Sequence, residues 1–297
     1  MATAPRSSAP VGALLALVAT TALWGTSFVA TKAVLPAVPP ITLATLRLAV
    51  ALAALVPVTR RLGQTPDLGR GAALLGLTGI AFCFVCQNIG LRFASAATAA
   101  LILNGGIPVL TVLLAAVVLR ERIADQRLVG TVLAFAGVGL LVLLPLGGFS
   151  GAPVPGALLG NALLLTAAAA YAIYTLIGRR VFDIDAALRM TAGSMLYGAL
   201  GLLPIAACEL ATTGMHWPDG RAVALILYLG LGCSALPFVL WGYALARLEA
   251  VQVAVISNLE LLFGVAFAAL LLGEPLSRSQ LGGGGLILVG ASLVALA

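Results

Sequence analysis

Long apolar blocks, rather than periodic apolar stripes, dominate this chain. A transmembrane helix needs about 20 consecutive apolar residues to cross the hydrocarbon core of a bilayer. The blocks are about twice as long as the strands of a membrane barrel and do not alternate, so helices are the predicted spanning element. Turn and charge signals separate ten blocks, at 11–34, 41–59, 71–91, 95–119, 127–146, 157–178, 187–207, 222–245, 250–272 and 280–297.

The composition agrees with an all-α integral membrane protein of ten transmembrane helices. The 297 residues are 62% hydrophobic and only 9% charged, whereas a soluble protein carries roughly 25% charged residues. A soluble domain of this length could not cover its surface with so few charges. The net charge of +6 comes from single basic residues between apolar runs, so no nucleic-acid partner is expected.

Lysine and arginine residues in the predicted loops indicate the orientation. With the N-terminus on one side of the membrane, eleven of these residues lie on that side and four on the other. The side richer in basic residues is normally the cytoplasm. We therefore predict that both termini are cytoplasmic and that the first block is a retained span rather than a removed signal peptide.

The two halves of the chain resemble each other. The segment "QRLVGTVLAFAGVGLLVL" at 126–143 aligns with "SQLGGGGLILVGASLVAL" at 279–296, an offset of 153 residues. Toward the front of each half the offset becomes 147, so that Trp24 meets Tyr171.

This repeat predicts the membrane topology of the two halves. Each copy holds five helices, an odd number, so the second copy must enter the membrane from the opposite side. We predict two inverted five-helix repeats, at 1–146 and 157–297, joined by a linker at 147–156. Inverted repeats are an architecture of secondary transporters, in which the substrate site lies near the bilayer midplane between the repeats.

Four short motifs, in this order and spacing, resemble EamA-type members of the drug/metabolite transporter superfamily. They are "ALWGTSFVATK" at 22–32, "LRLAVALAAL" at 46–55, "LRFASAATAALI" at 91–102 and "LLLGEPLS" at 270–277. The resemblance implies ten helices and export of amino acids or other small metabolites, without a cofactor. The chain looks most like bacterial exporters of neutral and aromatic amino acids, which implies the bacterial inner (plasma) membrane. A monomer that meets only a small-molecule substrate and the lipid bilayer is compatible with this resemblance.

Glu260 is the main candidate for chemistry inside the membrane. It lies about eleven residues from either end of its apolar block, roughly 15 Å deep at 1.5 Å per residue, where a charge is costly. The carboxyl group could bind a substrate ammonium, or stay protonated until it exchanges a proton, because burial disfavours the charged form. Otherwise it is a protonated group hydrogen-bonded to a neighbouring helix. The family often has a Glu-Pro pair in this span, whereas Glu260 is followed by Leu261.

Further polar residues lie at the same predicted depth. Ser257 and Asn258 are within one turn of Glu260, and Asn104 is the repeat counterpart of Ser257. Glycine and proline next to Asn104 predict a broken helix, which would expose backbone groups to a substrate. The alternative is a kink with the asparagine bonded across helices. The predicted helix-breaking residues are Gly105, Gly106, Pro108 and Pro237.

Aromatic residues form a second group of candidates. Trp24 and Ser27 are three apart and share a helix face, as do their repeat counterparts Tyr171 and Tyr174. Trp241 follows Pro237 by about one turn. These faces could clamp a substrate side chain, or they could be core aromatic packing.

Arg47 and Gln87 complete the predicted cavity residues. Arg47 lies two turns inside the outer end of the second block, so its side chain could extend outward to the interface. If it turned inward, Arg47 and Glu260 would offer one positive and one negative site, which matches a zwitterionic amino acid. Gln87 could line the cavity or bond a neighbouring helix.

Other functions are less compatible with the sequence. An intramembrane enzyme is disfavoured because HExxH, GxSxG and P-loop motifs are missing from the sequence, which also offers no metal-ligand set and contains one histidine, His216. A channel is less compatible because channels usually build pores from symmetric subunits, whereas the repeat here lies within a single chain. A sugar-phosphate or nucleotide-sugar antiporter would need several cations at mid-depth, where this chain has only Arg47. A multidrug or metabolite efflux carrier stays open beside the amino-acid exporter.

Overall fold

A computed structural model describes residues 11–118, 125–144, 146–147, 152–153, 155–181, 187–214, 218–245, 247–248 and 250–296. A two-residue antiparallel pair, β1 (Leu146–Gly147) with β2 (Ala152–Pro153), lies between the halves. Within the residues described, ten helices follow one another: α1 (Val11–Val34), α2 (Pro40–Arg61), α3 (Arg70–Phe93), α4 (Ala96–Val118), α5 (Asp125–Leu143), α6 (Ala157–Val181), α7 (Ala187–Thr213), α8 (220–245), α9 (250–272) and α10 (Arg278–Leu296).

The helices are built to cross a membrane. In the described part of the chain, eight of them contain stretches long and apolar enough to span a bilayer, and the apolar part of α5 is somewhat shorter. Large apolar side chains on their outer faces are exposed, such as Phe135 on α5 and Val289 on α10. In a membrane these faces meet lipid tails, which carry no penalty for apolar surface. The predicted all-α, ten-helix membrane fold is therefore confirmed.

The packing of the helices has a two-fold pattern. Helix α1 packs on α9 as α6 packs on α4, α3 on α6 as α8 on α1, and α3 on α7 as α8 on α2. The pairs α2 with α7, α4 with α9 and α5 with α10 join each helix to its own counterpart. Exchanging every helix with the one five places later thus preserves the main contacts. With five helices in each unit, this is the predicted inverted repeat.

The α5–α10 pair shows how repeat-related glycines bring two helices together. A Cβ atom on Gly137 would lie 2.5 Å from the Gly283 carbonyl oxygen, and one on Gly130 would lie 2.6 Å from the Gly290 carbonyl oxygen. Both distances are shorter than real Cβ contacts, so only glycine allows this approach. Such small-residue contacts drive helix association in lipid, where apolar burial gives no preference for protein over bilayer.

Wide helical turns occur at equivalent places in the two repeats. Helix α3 contains a π-helical segment at Leu75–Phe82, and α8 contains one at Tyr228–Ala235, 153 residues later. Such segments bond each N–H to the carbonyl five residues before it and are frequent at functional sites. Both segments contribute residues to the cavity described below.

The predicted break in α4 is wrong, because the helix runs unbroken through Gly105, Gly106 and Pro108. The glycines instead admit neighbouring helices: a Cβ on Gly105 would lie 2.5 Å from Ile287 of α10, and one on Gly106 would lie 3.2 Å from Ala168 of α6. Pro108 only withholds the bond that its missing N–H would give to the carbonyl four residues earlier.

The other predicted and observed breaks lie in the second repeat. Pro237 is the second residue of the α-helical stretch that follows the π segment of α8, so it marks a change of hydrogen-bond pattern rather than an end of the helix. The helix that does break is α9, which divides into Ala250–Ser257 and Leu259–Leu272 at Asn258. The break occurs without the proline that the family often places there.

One end of the bundle is closed by polar contacts from α1. Lys32, near the end of α1, donates to the Leu91 carbonyl at 2.6 Å and to the Ala94 carbonyl at 2.7 Å. These are orphan carbonyls at the end of α3, which a cation satisfies well.

The turn between α9 and α10 closes the same end. Glu274 accepts hydrogen bonds from the backbone N–H of Ala96 at 2.9 Å and of Ala97 at 3.1 Å, at the beginning of α4. Gln280 Nε2 donates to Ser95 Oγ at 2.9 Å. A carboxylate at a helix N-terminus satisfies free N–H groups and complements the helix dipole. These contacts join the two repeats at this end.

Candidate functional site

A cavity of about 270 Å³ lies between the two repeats. Nine of the ten helices contribute to its wall among the residues described, all except α5. Every predicted cavity residue except Trp241 lies on this wall: Trp24, Ser27, Arg47, Gln87, Asn104, Tyr171, Tyr174, Ser257, Asn258 and Glu260. The structure thus brings together predicted residues from six sequence-distant helices, and whether they bind a substrate stays a prediction.

Arg47 turns into the cavity rather than outward to the interface. Its side chain is 7% exposed. The guanidinium donates from Nε to Ser234 Oγ at 2.8 Å, from Nη1 to Ser27 Oγ at 3.0 Å and from Nη2 to the Cys233 carbonyl at 3.3 Å. It also lies 5.0 Å from the centre of the Phe84 ring, within the range of a cation–π contact. Because these partners satisfy the guanidinium inside the protein, the Arg47 side chain does not need to extend to the membrane interface.

The π segment of α8 shapes the contacts that Arg47 makes. Ser234 Oγ donates to the Leu229 carbonyl five residues earlier at 2.9 Å, while it accepts from Arg47 Nε. Cys233 and Ser234 both lie in this segment. A regular α-helix would place these two groups on a different face.

Glu260 lies on the other side of the α9 break, in the first turn of Leu259–Leu272. Its carboxyl group is partly buried and faces the Asn104 amide of α4. Asn104 Nδ2 is buried without a well-formed hydrogen bond, as is Asn258 Nδ2. Pro108 leaves the Asn104 carbonyl without its helical N–H partner. This part of the wall therefore offers unpaired donors and acceptors beside a carboxyl group.

Aromatic rings form two clusters on the cavity wall. The Tyr171 and Tyr174 rings stack with centroids 5.0 Å apart. The Trp24 ring lies 5.9 Å from Phe238 in an edge-to-face arrangement and 5.3 Å from Trp241. Trp241 therefore supports Trp24 from behind rather than lining the cavity.

The polar contacts on the wall follow the repeat, but the charges do not. Arg47 and Ser27 correspond, 147 residues later, to Ser194 and Tyr174. The Arg47–Ser27 hydrogen bond thus has a counterpart in the contact between Tyr174 and Ser194. Glu260 corresponds to an isoleucine, Ile107. One charge of each sign is therefore found in a site whose frame is two-fold symmetric.

Several wall residues were not predicted from the sequence. They are apolar or small residues that carry no signal of their own within an apolar block. Ser234 could have been found only by knowing that a π segment turns it toward Arg47. The main ones are Cys83, Phe84, Cys233, Ser234 and Phe238.

A model of the EamA-like transporter family matches this chain twice, at residues 11–143 and 158–296. A transporter of uncharacterized function from Archaeoglobus fulgidus is 28% identical over 94% of this chain and 97% of the relative. A probable amino-acid metabolite efflux pump from Salmonella typhimurium is 32% identical over 90% of this chain and 89% of the relative.

Two further likenesses agree in extent. A probable terminal-alkyne amino-acid exporter from Streptantibioticus cattleyicolor is 31% identical over 95% of this chain and 93% of the relative. A solved crystal structure superimposes with a TM-score of 0.67 at 21% identity, covering 96% of this chain and 97% of the other. At this identity the crystal structure shows the fold alone. Both halves of the chain match the family model, so this multi-pass membrane protein belongs to the EamA-like transporter family.

Proposed function

We propose that this transporter is an alternating-access exporter of small organic solutes, with neutral or aromatic amino acids as its first substrate class. The observation that carries the proposal is the cavity between inverted repeats, with both repeats contributing to its wall. Sites of this kind are where secondary transporters hold their substrates. The names of two relatives, an amino-acid metabolite efflux pump and an amino-acid exporter, agree with this class.

The size and lining of the cavity support a small solute with an apolar part. Its volume of about 270 Å³ is just below the roughly 300–1,000 Å³ of pockets that hold drug-sized ligands. Aromatic and aliphatic side chains form most of the wall, and a few polar groups interrupt it. Such a wall suits one metabolite with a polar head and an apolar side chain.

The two-fold packing supports alternating access. Each repeat makes contacts equivalent to those that the other repeat makes. If the two repeats exchanged conformations, the protein would keep the same kinds of contact while the cavity opened to the other side. Rocking of this sort needs no large rearrangement within either repeat.

The proposed setting is the bacterial inner membrane, with both termini in the cytoplasm. The excess of basic residues in the loops on the N-terminal side supports this orientation. The repeat boundaries at 1–146 and 157–297 remain part of the proposal. In this setting, export moves the solute from the side that holds both termini to the opposite side.

Counterflow in proteoliposomes of the purified protein tests the function. We expect that vesicles preloaded with a neutral or aromatic amino acid take up the same labelled amino acid transiently and saturably. Protein-free vesicles and a panel of charged amino acids are the controls. Uptake that rises linearly with concentration would indicate a channel, and absence of counterflow across the whole panel would refute amino-acid transport.

A further inference from the structure

We propose that the cavity recognises both ends of a zwitterion: Arg47 binds the solute carboxylate, and Glu260 with Asn104 binds its ammonium group. Ser27 and Ser234 are positioning residues that aim the guanidinium. This inference rests on the proposed function, because it names the chemical groups by which the same cavity selects its solute.

Arg47 has hydrogen-bonding capacity left for a substrate. A guanidinium carries five N–H groups, and the contacts found in the described part of the chain use three of them, all with neutral acceptors. A buried cation without an anion is costly. An arriving carboxylate can take the free N–H groups and supply the missing charge.

The Ser27 and Ser234 hydroxyls fix the plane of that guanidinium. They bond two different nitrogens, Nη1 and Nε, from α1 and α8. Phe84 supports the same group from α3 at 5.0 Å. Each of the three guanidinium nitrogens is thus bonded once, which leaves one N–H on Nη1 and one on Nη2 for a solute carboxylate. A flexible cation would lose this orientation.

The Glu260 side supplies acceptors instead of a cation. The Asn104 amide faces the carboxyl group and can donate to its charged form. The backbone carbonyl of Asn104 lacks its helical N–H partner because residue 108 is proline. A primary ammonium group carries three N–H donors, which these oxygens can accept. Glu260 and Arg47 lie on the wall of one cavity, so a single small solute can reach both.

The space left by the two charged groups is aromatic. Tyr171 and Tyr174 stack on one part of the wall, and Trp24 with Phe238 forms the other cluster. Two of the described wall residues are charged, Arg47 and Glu260, so an additional charge on the solute side chain would find no partner. The geometry therefore points to α-amino acids with an uncharged, apolar side chain.

Competition against labelled phenylalanine counterflow tests the two ends separately. The competitors are phenethylamine, which lacks the carboxylate, and 3-phenylpropionate, which lacks the ammonium group. We expect each to compete roughly tenfold to a hundredfold more weakly than phenylalanine, the loss for one charge-assisted contact. In the Arg47→Gln variant, phenethylamine should compete as well as phenylalanine does. In the Glu260→Gln variant, 3-phenylpropionate should compete as well as phenylalanine does.

The test of the positioning residues must use a measurement that a general loss of structure would not change in the same way. Ser27→Ala and Ser234→Ala should raise the KM for phenylalanine with little change in maximal rate, and should leave competition by phenethylamine unchanged. Thr166→Ala is the matched control, because it removes an exposed hydroxyl that donates to the Ala162 carbonyl of its own helix. Its KM should equal that of the wild type.

The outcomes separate this inference from the proposed function. If phenylalanine shows counterflow but both one-ended analogues compete as well as unlabelled phenylalanine does, the zwitterion inference is wrong and the exporter function stands. If no amino acid shows counterflow while phenethylamine is itself carried, the zwitterion inference and the amino-acid substrate class are both wrong. Equal effects of the Ser27, Ser234 and Thr166 variants would remove the positioning role alone.

Discussion

At the scale of single residues, two charges decide what the cavity can do. Arg47 is held by hydroxyl and carbonyl groups from two other helices, and Glu260 faces an amide across the break in α9. Neither charge has a counterpart in the other repeat. Under the proposed zwitterion recognition, a frame that is two-fold symmetric would hold its solute in one orientation, because only one end of the site attracts each charge.

The Glu260 carboxyl group predicts a pH-dependent affinity. Only its ionised form pairs with an ammonium group, so the KM for a neutral amino acid should fall as the pH rises from 5 to 8. Glu260→Gln should have a higher KM that stays constant over this range. Initial rates of counterflow at each pH give the KM values. A wild-type KM that is flat between pH 5 and 8 would remove a titrating role for Glu260.

At the scale of the elements, close packing and irregular turns position the site. Glycines let α5 and α10 meet backbone to backbone, and the π segments of α3 and α8 turn their side chains into the cavity. Apolar helices in lipid gain little from burying apolar surface against each other. Their arrangement therefore depends on such steric matches and on polar contacts at their ends.

The α5–α10 contact predicts opposite effects for two glycines of one helix. Gly137→Ala places a methyl group against the Gly283 carbonyl and should destabilise the protein by about 1–3 kcal/mol. Gly139, two residues later, has open space around it, so Gly139→Ala should be neutral or stabilise the helix by up to about 1 kcal/mol. Thermal unfolding in detergent measures both. A Gly137→Ala variant as stable as Gly139→Ala would show that the helices do not meet here.

The polar contacts at the closed end predict a stability loss on removing one charge. Glu274→Gln replaces one acceptor oxygen of the carboxylate by an NH₂ group, so one of the Ala96 and Ala97 N–H groups loses its partner. We expect a loss of about 1–2 kcal/mol, as for other helix N-caps. Arg278→Gln, an exposed charge removed in the same turn, should cost much less. Equal melting temperatures of the two variants would contradict the capping role.

At the scale of the whole molecule, inversion of the repeats is the basis for proposing the cavity as the transport site. Equivalent pairs of helices pack together when the two halves are exchanged. A cavity between such halves has two equivalent routes of exit. Lys32, Glu274 and Gln280 make polar contacts at one end of the bundle, so alternating access would require these contacts to break when the cavity opens there.

Inversion predicts that equivalent helix ends lie on opposite sides of the membrane. Helices α2 and α7 are repeat counterparts, and both Leu62, after α2, and Thr213, at the end of α7, are exposed. In a cysteine-free background, Thr213→Cys should react with a membrane-impermeant maleimide in intact cells. Leu62→Cys should react only after the membrane is opened. Labelling of both in intact cells would contradict the inverted arrangement.

The apolar pattern of the chain is enough to predict the class of protein, the number of helices and their repeat. Apolar blocks of bilayer length leave helices as the only solution, because lipid cannot satisfy an open backbone. The repeat is visible because the same contacts require glycine at the same places in both halves. The sequence also identifies Glu260 as a candidate, because a charged residue in an apolar block is recognisable without knowledge of the fold.

The directions of side chains and the bends of helices depend on neighbouring helices that lie far away in the chain. Arg47 turned inward because Ser27 and Ser234 meet it there, and Ser234 is 187 residues away in the chain. The glycines beside Asn104 serve the approach of α6 and α10 instead of breaking α4, while α9 breaks without a proline. A glycine or proline has the same local chemistry in a break and in a close contact. Only the neighbouring helix, which the local sequence does not contain, distinguishes the two.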